Sequence, residues 1–201
     1  MIKLILGDCL EEMKKIPDKS IDLVLTDPPY GVTQNKQDIP IDLSELFRIG
    51  KGIVMTAQQP YTTDVIYKFR QHFKYDLIWD KVLTSGFLNA NRMPLRKHES
   101  ILVFGDVHYN PQKVLGNKNH SKGKPKDGAN NNYGKHNFVD NTEELGDMKH
   151  PTSIITFTKP HPSIAQHRTE KPVELMRWLI KTYSNISDTI LDPFMGSGTT
   201  G

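Results

Sequence analysis

The sequence predicts an α/β fold with a mostly parallel sheet that is covered by helices on both faces. Short apolar runs, typical of buried strands, alternate along the chain with amphipathic runs of helical period. Asp8, Asp27 and Asp192 each follow a strand-like run, and open α/β sheets bind their ligands at that edge. A length of 201 residues suffices for one such domain with a buried core.

The individual elements are predicted from hydrophobic spacing. Short apolar runs predict strands over 3–6, 21–26, 52–56, 75–79 and 101–104. Apolar residues three and four apart predict helices over 9–15, 61–73 and 173–183. Pro172 falls in the first turn of the last helix, where a missing backbone N–H costs nothing.

A rigid corner, Asp27-Pro28-Pro29-Tyr30, follows the predicted strand 21–26. Each proline fixes its own φ and pushes the residue before it toward extended geometry, while the nearby carbonyls still accept hydrogen bonds. A carboxylate and a carbonyl held in this way accept both hydrogens of a planar exocyclic amine, such as adenine N6 or cytosine N4. Tyr30 offers a face on which a flat ring stacks. Taken alone, the corner is equally explained by a strand that ends in a proline turn.

A glycine-rich loop, Asp192-Pro-Phe-Met-Gly-Ser-Gly198-Thr-Thr, follows the last strand-like run. Glycines let a backbone approach a ligand closely, and Phe194 can pack against that ligand. A tight turn is the alternative for this loop taken alone. A nicotinamide dinucleotide site is disfavoured, because the sequence lacks the third glycine and the later acidic residue of that fingerprint.

Together, the corner and the loop resemble the amino-group DNA methyltransferases that use S-adenosylmethionine. Their order resembles the beta group, in which the tetrapeptide comes first and the fold is circularly rearranged. Gly7-Asp8-Cys9-Leu10 is similar to the family's N-terminal opening. The run His167-Arg-Thr-Glu-Lys-Pro172 is similar to its His-Pro-Thr-Gln-Lys-Pro element, from which Arg168 and Glu170 depart. The resemblance implies a Rossmann-like methyltransferase sheet with an inserted target-recognition region, and a C-terminal part that is missing here.

The resemblance also implies residue roles. The catalytic residues are expected to be Asp27, Pro28, Pro29 and Tyr30. Asp8 is expected at the adenine of the S-adenosylmethionine cofactor, and the glycine loop at its methionine and ribose side. Thr169, Lys171 and Pro172 are expected near its methionine carboxylate. The complete set of expected cofactor-binding residues is Asp8, Cys9, Asp27, Thr169, Lys171, Pro172, Asp192, Phe194, Gly196, Ser197, Gly198 and Thr199.

Three regions are expected along the chain. They are a catalytic part over 1–105, an inserted target-recognition and DNA-contact region over 106–160, and an incomplete cofactor-binding part over 161–201. Residues 110–136 hold six lysines and one acid, Asp127. Lysines that contact phosphates strengthen DNA binding and make it depend on salt. The expected DNA contacts are Lys113, Lys118, Lys122, Lys124 and Lys126, and a solvated loop is the alternative.

The predicted reaction is methyl transfer from S-adenosylmethionine to the exocyclic amine of a base in double-stranded DNA. Because that amine is inaccessible inside a duplex, the base must be flipped out, with Tyr30 as its stacking partner. Trp79 and Phe87 are candidates for a second stacking residue, although core packing is favoured for Trp79. Aspartate rather than serine before the two prolines favours adenine N6. The alternatives are cytosine N4 methylation and a non-catalytic DNA-binding remnant.

The composition excludes several other classes of protein and of binding site. The single cysteine, Cys9, excludes a disulfide framework and a cysteine-based zinc site, which favours a cytoplasmic protein. No secretory pattern and no apolar run of about 20 residues is present, so no membrane association is expected. His98-Glu99 lacks further ligands at suitable spacing, so no metal site is predicted. We also expect either a homodimer or a second chain that completes the domain. A role in restriction-modification is expected as well.

Overall fold

The computed structural model describes residues 2–33, 38–116, 148–160 and 170–201, and the backbone of 128–130 and 134–136. The chain forms two compact units: Met1–Asn110 together with Thr152–Gly201, and Pro111–Pro151. No helix among the described residues is long and apolar enough to cross a membrane.

Ten strands and four α-helices are seen within the described residues. The strands are β1 (Ile21–Thr26), β2 (Gly50–Ala57), β3 (Phe73–Ser85), β4 (Arg96–Gly105), β5 (Val114–Leu115), β6 (Gly128–Asn130), β7 (Gly134–His136), β8 (Met148–Lys149), β9 (Ile154–Thr156) and β10 (Ile190–Leu191). The helices are α1 (Cys9–Met13), α2 (Ser44–Ile49), α3 (Tyr61–Lys68) and α4 (Val173–Tyr183). Two short 3₁₀ turns cover Arg70–His72 and Phe87–Asn89.

The larger unit contains a six-stranded sheet in the order β10-β1-β2-β4-β3-β9. Strand β1 pairs in parallel with both β10 and β2, and β3 pairs in parallel with β9. Strand β4 runs antiparallel to both β2 and β3, so the sheet is mixed and less parallel than the sequence pattern predicts. The reason is the connection from β3 to β4, which is a hairpin that contains a 3₁₀ turn. A parallel pair of strands would need a longer crossover connection instead.

Helices cover both faces of this sheet, as predicted. Along β1, Leu23 and Leu25 point into one core cluster and Val24 into the other, because successive strand residues face opposite sides. Residues of α2 and α3 pack in the Val24 cluster, and residues of α4 pack in the other. This places β1 in the middle of the core, with its carboxyl end at a fixed edge of the sheet.

The predicted bounds of β1 and α4 are confirmed. Helix α3 is shorter than predicted: it ends at Lys68, and Phe73 already belongs to β3. The predicted strand over 3–6 is wrong, because residues 2–6 are in no strand. An apolar run becomes a strand only where a neighbour satisfies its backbone groups, and none of the described strands pairs with this run.

The smaller unit, Pro111–Pro151, is described only in part. Strand β5 pairs antiparallel with β8, and β6 pairs antiparallel with β7. Its role in target recognition stays a prediction.

Candidate active site

The proline corner and the glycine loop are brought together by the parallel strands β1 and β10. Asp27 follows the last residue of β1, and Asp192 follows the last residue of β10. The Thr26 hydroxyl donates a hydrogen bond of 2.6 Å to Asp192 Oδ1, which ties the two strand ends directly. Sequence reasoning expects ligands at this edge, and the structure puts both motifs there.

A cavity of about 680 Å³ opens between these two motifs. The residues of the corner and most of the loop line it; these are Asp27, Pro28, Pro29, Tyr30, Asp192, Pro193, Phe194, Met195, Gly196, Ser197, Thr199 and Thr200. A volume of this size is typical of small-molecule and cofactor sites. The lining combines a carboxylate, flat aromatic surface and glycine backbone in one space.

The Asp27 carboxylate is held by donors from three elements. The Tyr30 hydroxyl donates to Asp27 Oδ1 at 2.6 Å, and the Thr56 hydroxyl of β2 hydrogen bonds with the same oxygen. Lys171 Nζ lies 2.7 Å from Asp27 Oδ2. A carboxylate fixed in this way needs little reorganisation before it binds a ligand.

Tyr30 is positioned by a carboxylate that the sequence analysis did not single out. Asp38 Oδ1 accepts hydrogen bonds of 2.7 Å from the backbone N–H groups of Tyr30 and Gly31. Asp38 Oδ2 accepts from the backbone N–H groups of Val32 and Thr33. Although burial acts to raise the pKa of Asp38, hydrogen bonds from the Thr33 hydroxyl and from these backbone N–H groups hold it below its ordinary value. Asp38 therefore fixes the backbone that carries the Tyr30 ring.

The Tyr30 side chain is both a ring surface and a hydrogen-bond donor. Its ring centroid lies 5.5 Å from that of Tyr61, and Lys171 Nζ lies 5.8 Å from the centroid of Tyr30. Burial raises the pKa of Tyr30 well above its ordinary value, and the negative charges of Asp27 and Glu99 add to the effect. The phenol therefore stays protonated at neutral pH and keeps its proton for hydrogen bonding.

Sequence reasoning missed a buried ionic network behind Asp27. Lys81 Nζ lies 3.1 Å from Glu99 Oε1, and Lys171 Nζ lies 3.5 Å from Glu99 Oε2. The two lysine side chains are 3% and 10% exposed, so these pairs are shielded from solvent. Burial acts to lower the pKa of Lys171, but the carboxylates of Asp27 and Glu99 outweigh it and hold the pKa above its ordinary value.

Strand periodicity is the signal that could have revealed this network. Lys81 lies two residues beyond the buried Trp79 on β3, and Glu99 lies two residues before the buried Ile101 on β4. Residues two apart share a sheet face, so both charged side chains point toward the core. Buried charges are rare unless they are paired, and two on one face predict partners for each other.

The glycine loop is organised around Asp192. Its Oδ1 also accepts a hydrogen bond of 3.1 Å from the backbone N–H of Phe194, and its Oδ2 accepts one of 2.5 Å from the Thr200 hydroxyl. Gly196 and Gly198 have φ angles of 51° and 80°, in the left-handed region that favours glycine. The aspartate and the two glycines together shape the loop that forms one wall of the cavity.

The ionisation of Asp192 gives a stability test. Burial raises its pKa, and the charge of Asp27 adds to this, although hydrogen bonds from Thr200, Thr26 and Phe194 oppose it. A carboxyl group whose pKa is raised by folding lowers stability when it is ionised. We expect Asp192→Asn to raise the melting temperature at neutral pH. The gain should shrink as the pH falls through the pKa of the folded carboxyl toward about 4.

Thermal melts between about pH 4 and pH 8 measure this difference. Asp22→Asn is the matched control, because hydrogen bonding to Lys51 lowers the pKa of Asp22 and predicts a change of opposite sign. A lower melting temperature for Asp192→Asn at neutral pH would show that the hydrogen bonds of Asp192 outweigh its burial.

The other predicted residues either do not line this cavity or lie outside the described part of the chain. Asp8 accepts a hydrogen bond of 2.8 Å from the Leu10 N–H and caps the N-terminus of α1. Neither Asp8 nor Cys9 lines the cavity. Pro172 and Gly198 adjoin lining residues without lining it themselves. Lys113 is exposed in the smaller unit. The predicted residues outside the described part are Lys118, Lys122, Lys124, Lys126 and Thr169.

The two candidates for a second stacking residue differ in environment. Trp79 is 1% exposed, and its indole N–H donates a hydrogen bond of 2.8 Å to the Phe157 carbonyl, which confirms its place in the core. Phe87 is 81% exposed and stays a candidate for contact with a ligand.

Comparison with known proteins places the chain among DNA methylases. A family model described as DNA methylase, for N6 and N4 methyltransferases, matches residues 50–201. The chain is 28% identical to the DNA adenine methyltransferase YhdJ of Escherichia coli K12, covering 98% of this chain and 72% of that protein. It is 25% identical to the type II methyltransferase M.BglII of Bacillus subtilis, covering 98% of this chain and 61% of that protein. The chain therefore spans between 61% and 72% of the length of these two curated relatives.

Solved structures share the fold. A complex of M1.HpyAVI with S-adenosylmethionine matches with a TM-score of 0.59 and 22% identity, covering 100% of this chain and 86% of that one. TTHA0409 from Thermus thermophilus matches with a TM-score of 0.54 and 21% identity, covering 97% of this chain and 80% of that one. The Rossmann-like methyltransferase sheet predicted from the sequence is confirmed.

Proposed function

This chain belongs to the S-adenosylmethionine-dependent DNA amino-methyltransferases, and we propose that it methylates the exocyclic amine of a flipped base, adenine N6 in double-stranded DNA. The observation that carries the proposal is the cavity shared by the Asp27–Tyr30 corner and the Asp192–Thr200 loop. Both motifs must line the same cavity, because the acceptor amine and the methyl group of the donor have to be aligned with each other for transfer.

The residues present fit the cofactor. Its polar methionine end needs charged and backbone partners, and its ring needs flat surface. Within the cavity lining, Lys171 offers an ammonium, the glycine loop offers backbone, and Phe194 offers a ring. When bound, S-adenosylmethionine supplies an electrophilic methyl group on its sulfonium.

Asp27 and Pro28 orient the acceptor amine in this proposal. The lone pair of an exocyclic base nitrogen is delocalised into the ring, which makes the nitrogen a poor nucleophile. Hydrogen bonds from its two protons to the Asp27 carboxylate and the Pro28 carbonyl favour tetrahedral geometry and expose the lone pair. The contacts of Asp27 to Tyr30 and Lys171 support this role, because they fix the carboxylate before the base arrives.

Adenine is proposed over cytosine on two grounds. Aspartate stands before Pro28-Pro29, where serine is the residue that favours cytosine. The relative from Escherichia coli is named as an adenine methyltransferase. Methylation of cytosine N4 is the alternative, since the family model covers both chemistries.

Methyl transfer from tritiated S-adenosylmethionine to double-stranded DNA tests the proposal. We expect incorporation into DNA, and nucleoside analysis of the digested product should place the label in N6-methyladenine. Label in N4-methylcytosine would select the alternative chemistry. A DNA-binding protein without catalysis predicts DNA binding with no incorporation.

A further inference from the structure

Large apolar side chains are exposed at the end of β3 and in the connection from β3 to β4. We call residues 82–93 the apolar tip. Its exposed large apolar side chains are Val82, Leu83, Phe87, Leu88 and Met93. The most exposed are Leu88 at 101% and Phe87 at 81%, and these two are adjacent in sequence. Exposed apolar side chains that cluster in this way mark a binding surface.

The backbone of the apolar tip is well ordered by hydrogen bonds. Gly86 has a φ angle of 87° and precedes the 3₁₀ turn, in which the Asn89 N–H donates to the Gly86 carbonyl at 2.9 Å. The Arg92 and Met93 N–H groups donate to the Asn89 carbonyl at 2.8 and 3.0 Å. Because the turn is already formed, Phe87 and Leu88 are presented with little further loss of backbone entropy on binding.

The charges around the apolar tip point to an anionic partner. Residues 82–98 contain Arg92, Arg96 and Lys97 and no acidic residue, and of these Lys97 pairs with Asp80 at 3.3 Å. Arg92 and Arg96 are exposed beside the apolar side chains. Apolar side chains flanked by cations match a DNA duplex, which offers a stack of bases between two phosphate backbones.

The base of the apolar tip belongs to the candidate active site. Ser85, Gly86 and Arg96 line the same cavity as Asp27 and Tyr30. The Arg96 guanidinium donates a hydrogen bond of 2.9 Å to Gln58 Oε1, another lining residue, and Gln58 follows the carboxyl end of β2. A duplex whose target base entered the cavity would therefore pass beside Phe87 and Leu88.

We propose that Phe87 and Leu88 form an apolar wedge that enters the DNA stack and fills the space that the flipped base leaves. The inference rests on the proposed function, because it assigns the positioning residues for base flipping in that reaction. A wedge of this kind offsets the unstacking of the target base, which costs a few kcal/mol and least where the base is already unpaired. The wedge should therefore matter only for a target base that is paired.

The test compares two DNA substrates with the wild type and Leu88→Ala. One is a matched duplex around a target base mapped by sequencing methylated DNA, and the other has an abasic site opposite that base. We expect Leu88→Ala to lower methylation of the matched duplex about tenfold or more, and to leave the abasic substrate within about twofold of wild type. Phe87→Ala should behave similarly. Ile186→Ala, which truncates an equally exposed apolar side chain outside the cavity lining, should change neither substrate.

Each other outcome has a defined meaning. Equal losses on both substrates would overturn the wedge, since they indicate a general defect in the protein. Wild-type rates for both variants on matched DNA would also overturn it, and would assign the apolar tip to a different partner. If the wild-type protein methylates neither substrate, the proposed function itself fails and the wedge fails with it.

Discussion

Asp27→Asn is expected to lower methyl incorporation into DNA by about 10²- to 10³-fold, the range seen when one preorganised polar group is removed from an active site. The substitution keeps the shape of the side chain but replaces one acceptor oxygen with an NH₂ group. That group cannot accept a hydrogen from Lys171 or from an incoming amine. Because the expected loss is in the chemical step, kcat should fall while the Kd for S-adenosylmethionine changes little.

Tritium incorporation measures the rate, and calorimetric titration measures cofactor binding. Asp22→Asn is the matched control, since Asp22 lies on β1 itself but pairs with Lys51 at 2.6 Å and does not line the cavity. It should keep full activity. Wild-type incorporation by Asp27→Asn would exclude Asp27 from the reaction, whereas a loss confined to cofactor binding would assign it a role in holding the cofactor.

Glu99→Ala is expected to lower the free energy of unfolding by about 3–5 kcal/mol, the cost of removing one partner from a buried ion pair. Glu99 is the carboxylate between the Lys81 and Lys171 ammonium groups. Without Glu99, the buried Lys81 loses its ion-pair partner, and Asp27 is the remaining ion-pair partner of Lys171 among the described residues. Denaturant unfolding at neutral pH measures the change.

A surface glutamate provides the comparison for this variant. Glu174 on α4 pairs with Arg177 through side chains that are more than half exposed. Because water screens such a pair, Glu174→Ala should cause a much smaller loss of stability. Equal losses in the two variants would show that the network behind Asp27 contributes no more than a surface ion pair. Methyl incorporation by Glu99→Ala, measured where the variant is folded, should fall as well, because Lys171 is no longer held from both sides.

Elements with a complete local pattern were predicted well from the sequence. Strand β1 and helix α4 match because each is bounded by its own signals: Asp27-Pro28 ends the strand, and Pro172 precedes the helix. The joining of the two motifs in one cavity also followed from sequence, since the carboxyl ends of parallel strands share an edge of the sheet.

Features set by tertiary pairing were not predictable in this way. The antiparallel direction of β4 depends on a hairpin that carries none of the usual two-residue turn signals. The run 2–6 has a strand-like composition but no strand neighbour among the described residues, so composition alone misled. Asp38 is bound by backbone N–H groups, and no residue pattern encodes such contacts. Glu99 and Lys81 share a sheet face by strand periodicity, but their contact also requires the pairing of β3 with β4.

The hydrogen bond between Thr26 and Asp192 joins residues 166 positions apart, and this separation has a consequence for biosynthesis. At about 5–20 residues per second, a ribosome adds Asp192 roughly 10 to 30 seconds after Thr26. Throughout that interval the edge of β1 that pairs with β10 is unpaired, and an unpaired strand edge can pair with other chains and cause aggregation. A nascent polypeptide therefore cannot complete the cavity until Asp192 has been translated, and chaperone protection should matter most before that moment.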